Sequence, residues 1–418
     1  MKNSKNNKEE IQLRHRCTQL SSEGKTVTEI HKELNRTRAW VYKWLKRAKS
    51  GDKDWYLDKS KAPHHKPGKI NKELEQAIVE SRKKLVRRDT PATKYSFCGA
   101  IAIHQKLDTL GFRKKPGLST INRVLKRNDL IIERSKHKNE TISGKYYPTI
   151  KAKHPGHVHQ LDLVTPRYIK GYGSIVSVNR IDVYTNQANL EQYTDKGAES
   201  VIRFLINDWK AFGLPRFLQL DNEASFRGSL YHIKTFGKLS RFCLNFGVEI
   251  VFIPFKEPWR NGYIENFNKH FNDLLWRSKQ FKNLKELRVE SKKFIDKHNN
   301  YQKYKKENFS QQYCKGYTRS FLPEGFTFDP SRELPITRGR IHFVRLVNEK
   351  GYITVLNEEF YINKALSFEY VWAILNTRKK ELSVYYQAAP EAPKQLIRTE
   401  YYKLREPVKN RIPIKQFC

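Results

Sequence analysis

The 418-residue chain carries 81 lysines and arginines against 43 aspartates and glutamates, a formal charge of +38 distributed from end to end. Such an excess points to a dense polyanion, most often nucleic acid, bound through counterion release, and it carries no information on specificity. No apolar run approaches the roughly 18 residues that span a bilayer, and the opening MKNSKNNKEE lacks the apolar stretch of a signal peptide, so the expectation is a cytoplasmic protein with no membrane partner.

In chain order, IQLRHRCTQLSSEGKTVTEIHKELNRTRAWVYKWLKRAK contains three short helical patterns, broken at Ser-Ser-Glu-Gly and at Asn-Arg-Thr. The third sets Trp40 or Val41, Trp44 and Leu45 on one side and Arg38, Lys43, Lys46 and Arg47 on the other. That is the layout of a helix-turn-helix whose last helix enters the major groove, which makes residues 1–50 a DNA-binding domain and those four cations its contacts; any small basic three-helix bundle would share the pattern. Residues 51–70, rich in Lys, Pro and Gly, read as a linker. Beyond it, Asn71 is placed to cap a helix, and GAIAIHQKLDTLG and LSTINRVLKRNDLI follow, with Ser119 as the expected cap of the last. A second helix-turn-helix is expected over 71–136, with Arg123 and Lys126 toward DNA; a structural connector is the alternative.

From about residue 157 the pattern changes. HVHQLDLV, SIVSVNRIDVYT and ANLEQYT are rich in Val, Ile and Tyr and predict a three-stranded antiparallel meander. Helix AESVIRFLINDWKAFG, strand PRFLQLDNE, helix YHIKTFGKLSRFCLNFG and strand EIVFIPF come next, so a mixed sheet flanked by helices is expected over 150–305. EPWRNGYIENFNKHFNDLLW then enters a helix through an irregular turn. Its Ile264, Phe267, Phe271, Leu274 and Leu275 form an apolar stripe, while Asn261, Glu265, Asn268 and Asn272 share a neighbouring face. IHFVRLVNEKGYITVLNEEFYI, turning at Glu349-Lys350-Gly351, and YVWAILNTRKKELSVYY predict a small β-barrel over 330–390, followed by a tail, 391–418. The five cysteines, Cys17, Cys98, Cys243, Cys314 and Cys418, show no C-x-x-C spacing, so neither a disulfide framework nor a cysteine zinc site is indicated.

Three carboxylates stand out. Asp162 lies inside a strand between Leu161 and Leu163, and Asp221 ends another. A strand-interior carboxylate costs several kcal/mol unless it is paired or coordinated. With Glu265 they form a set that suits phosphoryl transfer assisted by two Mg²⁺ ions about 4 Å apart, which take hard oxygen ligands and complete their shells with water and phosphate. His157 and His159 alternate with the Asp162 face and read as packing or DNA-proximal residues.

QLDLV, LQLDNEASF and PWRNGYIENFN resemble the three motif blocks of the DDE transposases of bacterial insertion sequences and of retroviral-type integrases. The resemblance implies a multidomain α+β protein: N-terminal helix-turn-helix domains, an RNase H-like α/β catalytic core with a mixed sheet, and a C-terminal small β-barrel. It implies Asp162, Asp221 and Glu265 as catalytic residues and ligands of two Mg²⁺ or Mn²⁺ ions, with Asp162 bridging both. It also places Trp259, Arg260, Asn261, Asn268 and Lys269 beside the scissile DNA. The implied activity is 3′-end cleavage at the ends of a mobile element and strand transfer into target DNA, by a homo-oligomer assembled on double-stranded DNA in a bacterial cytoplasm. An RNase H-type nuclease or a domesticated non-catalytic regulator are the alternatives. Two departures from the family pattern are visible. Positions 222–264 put 43 residues between the second Asp and the Glu where about 35 is common, and Asp221-Asn222-Glu223 replaces the usual D-N-G.

Overall fold

The structure is a computed structural model that describes residues 2–58, 70–131, 145–228, 231–310, 317–329 and 332–414. Cys314, Cys418, most of the expected linker and the end of the expected second helix-turn-helix lie outside them. The chain divides into two compact units, Met1–Ile70 and Asn71–Cys418.

The first unit is built from α1 (Lys2–Ser22), α2 (Val27–Glu33) and α3 (Arg38–Ala48). Thr26 and Glu29 form a reciprocal capping box at the start of α2, and the Thr37 hydroxyl accepts from the Trp40 N–H to cap α3. Cys17, Leu20, Ile30 and Val41 close the core between them. The first residues of the expected linker are folded: Arg14 lies 3.9 Å over the Trp44 ring, pairs with Asp58 at 2.8 Å and donates to the Tyr56 carbonyl.

In the second unit, α4 (Lys72–Arg87), α5 (Ala100–Thr109) and α6 (Leu118–Arg127) precede the sheet. Asn71 caps α4 as expected, whereas α6 is entered at Gly117 and not at Ser119. The strands are β1 (Val158–Ile169), β2 (Gly173–Asp182), β3 (Ala188–Tyr193), β4 (Phe217–Leu220), β5 (Glu249–Phe252), β6 (Arg340–Leu346), β7 (Tyr352–Val355), β8 (Glu358–Tyr361), β9 (Tyr370–Asn376), β10 (Glu381–Tyr386) and β11 (Gln395–Tyr401). The meander β1–β2–β3 is antiparallel, and β4 and β5 add to the other side of β1 in parallel.

Helices α7 (Ala198–Phe212), α8 (Ala224–Arg227) and α9 (Lys238–Asn245) belong to one face of the sheet, where Leu161, Leu218, Leu220 and Ile250 pack with Phe204, Trp209 and Phe242. On the other face α10 (Gly262–Leu274) and α11 (Leu284–Phe309) enclose a second core of Val164, Ile175, Ile181, Phe267, Phe271 and Phe294. The helix expected over 231–247 begins only at Lys238. Gly228, at φ +94°, meets Gly237 so closely that a Cβ on it would lie 2.6 Å from the Gly237 Cα, and this backbone contact holds a turn where a continuous helix was expected.

The expected C-terminal barrel is corrected. Strand β6 pairs in parallel with β5, through Ile250↔Ile341, Val251↔His342 and Phe252↔Phe343, and antiparallel with β9 on its other side. The result is one open nine-stranded sheet in the order β11-β10-β9-β6-β5-β4-β1-β2-β3. The reason is twofold: β5 has a free row of backbone donors and acceptors, and β6 offers Phe343 to stack on Phe252, with ring centroids 5.5 Å apart. The Glu349-Lys350-Gly351 turn does not close a hairpin between β6 and β7; β7 pairs with β8 around Leu356-Asn357, both at positive φ as a type I′ turn requires. The expected tail also contributes β11.

Candidate active site

Strands β1 and β4 both carry the tripeptide Gln-Leu-Asp, Gln160-Leu161-Asp162 and Gln219-Leu220-Asp221. In the parallel register Gln160 faces Gln219, so two residues further on the two aspartates come level. Alternation along a strand sends each leucine into the core under α7 and α9 and each Gln and Asp to the α10 side. The glutamines fix the start of α10: Gln160 Oε1 accepts from the Ile264 N–H at 3.1 Å, and Gln219 Nε2 donates to Asn261 Oδ1 at 2.8 Å and to the Arg260 carbonyl. Anchored at both strands, α10 carries Glu265 beside the aspartates.

The polar row of α10 therefore faces the sheet. Asn268 Nδ2 donates to Asp162 Oδ2 at 2.7 Å, Asn268 Oδ1 accepts from Asn179 Nδ2 at 2.7 Å, and Asn179 Oδ1 accepts from the Ser177 hydroxyl at 2.7 Å. Asn272 Oδ1 accepts from Arg167, just past the bulge that Pro166 imposes on β1. Glu265 itself is exposed, whereas Asp162 and Asp221 are half-buried.

Electrostatics couple the three carboxylates. Burial first, then the charges of Asp221 and Glu265, push the Asp162 carboxyl up to about 7. Burial likewise raises Asp221, with Glu223 and Glu265 adding to it, against the Glu223 N–H that donates to Asp221 Oδ1 at 3.0 Å. Glu223 is paired with Lys196 at 3.1 Å. Negative charge concentrated so that one carboxyl holds its proton near neutrality is a place where a hard cation is favoured, and the donors are all oxygen. Among the described residues no group of three His, Cys, Asp or Glu is gathered closely enough to hold an ion by itself. The carboxylates fit a cation that takes the rest of its shell from water and phosphate, as Mg²⁺ does.

The other residues expected at the site divide. Trp259 is 54% exposed, and Lys269 is exposed as well. Asn261 and Asn268 are 3% and 9% exposed; Asn261 Oδ1 accepts from Gln219, and both amide atoms of Asn268 are hydrogen-bonded within the protein. Arg260 is also engaged: it pairs with Glu257 at 2.9 Å, donates to the Tyr370 hydroxyl and lies 4.0 Å over the Tyr147 ring. Arg38, Lys43 and Lys46 are exposed on α3, while Arg47 donates to the Leu57 carbonyl and lies 4.8 Å from the Trp44 ring. Arg123 and Lys126 are exposed on α6. His159 is fully buried, and burial lowers its affinity for a proton, so it packs beneath the sheet.

Several residues of the site went unread in the sequence. The repeated Gln-Leu-Asp was a signal in plain view. Arg345 gave none: it reaches from β6, its Nη2 donating to Asn222 Oδ1 at 2.9 Å and its Nη1 to the Ile253 carbonyl at 2.9 Å. Asn222 Nδ2 in turn donates to the Ile253 carbonyl, which fixes the turn after Asp221 where the usual glycine is missing. Burial, with Arg227 nearby, holds the Arg345 guanidinium down to about 9.

Comparisons with known proteins find two domain matches. Residues 8–56 match a homeodomain-like domain, and residues 246–303 match an integrase core domain. The second match takes in β5, α10 with Glu265 and most of α11. No curated protein is similar enough to count as a relative. Among solved structures, the HTLV-2 integrase catalytic core domain in complex with magnesium, in its dimeric form, is 15% identical, covering 37% of this chain and 89% of that one with a TM-score of 0.25. The simian T-cell lymphotropic virus intasome in complex with PP2A regulatory subunit B56 gamma is 12% identical, covering 74% and 96% with a TM-score of 0.30. Overlays that loose carry no argument of their own. The two matches place a homeodomain-like domain ahead of an integrase core domain in one chain. Among the described residues no helix is long and apolar enough to cross a membrane.

Proposed function

We propose that this chain is a DNA transposase or integrase that binds the ends of a mobile element, cleaves them to leave 3′ hydroxyls and joins those ends to target DNA. The observation that carries the proposal is the set of coupled carboxylates, Asp162, Asp221 and Glu265, on two adjacent strands and the helix those strands anchor. These three residues would hold two Mg²⁺ or Mn²⁺ ions, which supply Lewis-acid activation of the attacking oxygen and neutralise charge at the scissile phosphate. The chain's own part is positional. Asn268, held by Asn179, orients Asp162, and the Gln160 and Gln219 anchors keep Glu265 in reach. Arg345 and Asn222 fix the backbone behind Asp221. Exposed Trp259 and Lys269 are the contacts offered to DNA beside the acids, and Arg38, Lys43 and Lys46 of α3 those offered to the element end.

Among its described residues each chain has one such acidic cluster, whereas two element ends join two target phosphates, so the working form is a homo-oligomer assembled on double-stranded DNA. An RNase H-type nuclease would use the same acids but has no use for the helix-turn-helix. The test is strand transfer with terminal-repeat DNA and Mg²⁺ or Mn²⁺, for the wild type and for Asp162→Asn, Asp221→Asn and Glu265→Gln. Loss of product in all three, with repeat binding retained and activity absent in EDTA, is expected. Wild-type turnover by any one variant would overturn the assignment.

A further inference from the structure

Helix α10 has a second flank. Around the helix Tyr263 and Asn266 lie on a different face from Glu265, and with Gly262, Gln160, Gln219 and Arg260 they border a cavity of about 800 Å³ set between α10, α11 and the start of β1. Its volume is in the range that encloses a small organic ligand. Its walls contain an unusual coincidence: Asn186 Oδ1, His298 Nδ1 and Gln302 Oε1 all line it, all are buried, and among the described residues none has a hydrogen-bond partner. His298 is 2% exposed and Gln302 8%. Buried polar atoms are almost always paired, and each left unpaired costs about 1–3 kcal/mol.

All three orphans are acceptors. His298 Nε2 lies 3.0 Å from the Asn186 carbonyl, which can only accept, so that nitrogen carries the hydrogen and Nδ1 offers a lone pair. Burial holds the imidazole down to about 4, so it stays neutral at physiological pH. What this floor lacks is an N–H donor.

The rim has the opposite character. Lys151, Lys305 and Lys306 border the cavity, and among the described residues none of them forms a salt bridge. Lys306 is set 5.7 Å over the Tyr184 ring, and burial, then the charge of Lys305, lower its hold on its proton, with Asp182 acting the other way. Tyr263, half exposed, contributes a ring at the mouth.

A ligand that suits both parts must bring N–H donors to the floor, an anion to the rim and a flat apolar body to the rings. We propose that the cavity binds a nucleotide whose base carries an exocyclic amino group, donating the two hydrogens of that amine to Gln302 and His298 and laying its phosphate on Lys151, Lys305 and Lys306. Free nucleotides and units of a DNA strand share this chemistry. The proposal does not depend on the role of the carboxylates, and its test involves no strand transfer.

The full-length chain is photolabelled with 8-azido-dAMP and the labelled peptides are mapped, with dAMP, dIMP, which has an oxo group in place of the amine, and short oligo-dA and oligo-dI strands as competitors. Label on residues 149–152 or 298–306 is expected, with the amino form competing at least about five-fold better than the inosine form. Gln302→Leu, shown by its melting curve to be folded, should erase that preference, while Lys305→Ala with Lys306→Ala should weaken both forms by about ten-fold. Competition by dAMP assigns the site to a free nucleotide; competition by oligo-dA alone assigns it to a strand. Label spread over other lysine-rich segments, equal competition by dAMP and dIMP, or an unchanged preference in Gln302→Leu would each overturn the proposal.

Discussion

The two flanks of α10 solve opposite electrostatic problems within one helix. Toward the C-terminal ends of β1 and β4, carboxylates crowd together and their amide neighbours are fully hydrogen-bonded, from Ser177 through Asn179 and Asn268 to Asp162. Toward the start of β1, cations crowd together over acceptors that have no hydrogen-bond partner among the described residues. The acidic flank has every support in place and excess negative charge; the basic flank has excess positive charge and gaps in its own hydrogen bonding. The two flanks meet at Gln160 and Gln219, which hold the start of α10 and also line the basic cavity.

The largest effect that would sharpen this contrast belongs to the acidic flank. Asp162→Asn, Asp221→Asn or Glu265→Gln is expected to lower the strand-transfer rate by at least about 1,000-fold while photolabelling of the cavity stays at its wild-type level. Loss of both together would show that the flanks act as one site.

Next comes acid stability on the basic flank. His298 titrates near 4 in the folded chain against an ordinary 6.5, so the unfolded chain binds the proton more readily. Its contribution is complete above pH 6.5 and is lost as pH falls toward 4, a change of about 3 kcal/mol. Unfolding free energies measured at pH 7 and pH 4 should therefore draw closer together in His298→Gln than in the wild type. An equal gap in both would place the acid-sensitive group elsewhere.

These two flanks were unequally legible in the sequence. Asp162, Asp221 and Glu265 could be singled out because a carboxylate inside an apolar strand needs a reason. The polar face of α10 was visible as a row of four side chains, and its amides bond to side chains of β1, β2 and β4. The cavity was invisible: His298 and Gln302 are ordinary polar positions on a basic helix until Asn186 is brought against them from a loop more than a hundred residues earlier. For the same reason the strands after residue 340 were read as a separate barrel. Alternation shows that a segment is a strand, yet it does not show which free edge the strand will take.

A smaller effect probes the amide that joins Asp162 to the helix. Asn268→Leu keeps the volume but leaves Asp162 without its donor and should slow strand transfer by about 10- to 100-fold, with DNA affinity unchanged. Wild-type rates would reduce Asn268 to packing. Smallest of all, Thr37→Ala removes the cap of α3 and should cost that helix about 1 kcal/mol in hydrogen-exchange protection, leaving both flanks of α10 untouched. A change in cavity labelling in that variant would break the independence of the two compact units.

The place of β6 in the sheet has a consequence for the order of events during synthesis. All three carboxylates leave the ribosome well before Arg345, the side chain that fixes the turn behind Asp221. Until residues 340–346 emerge, β5 is an unpaired edge and Asn222 lacks its brace. A nascent chain thus holds the three acids without the strand that settles the backbone behind Asp221. Translation becomes a timer, and a strand made more than a hundred residues after Asp221 braces the turn behind it.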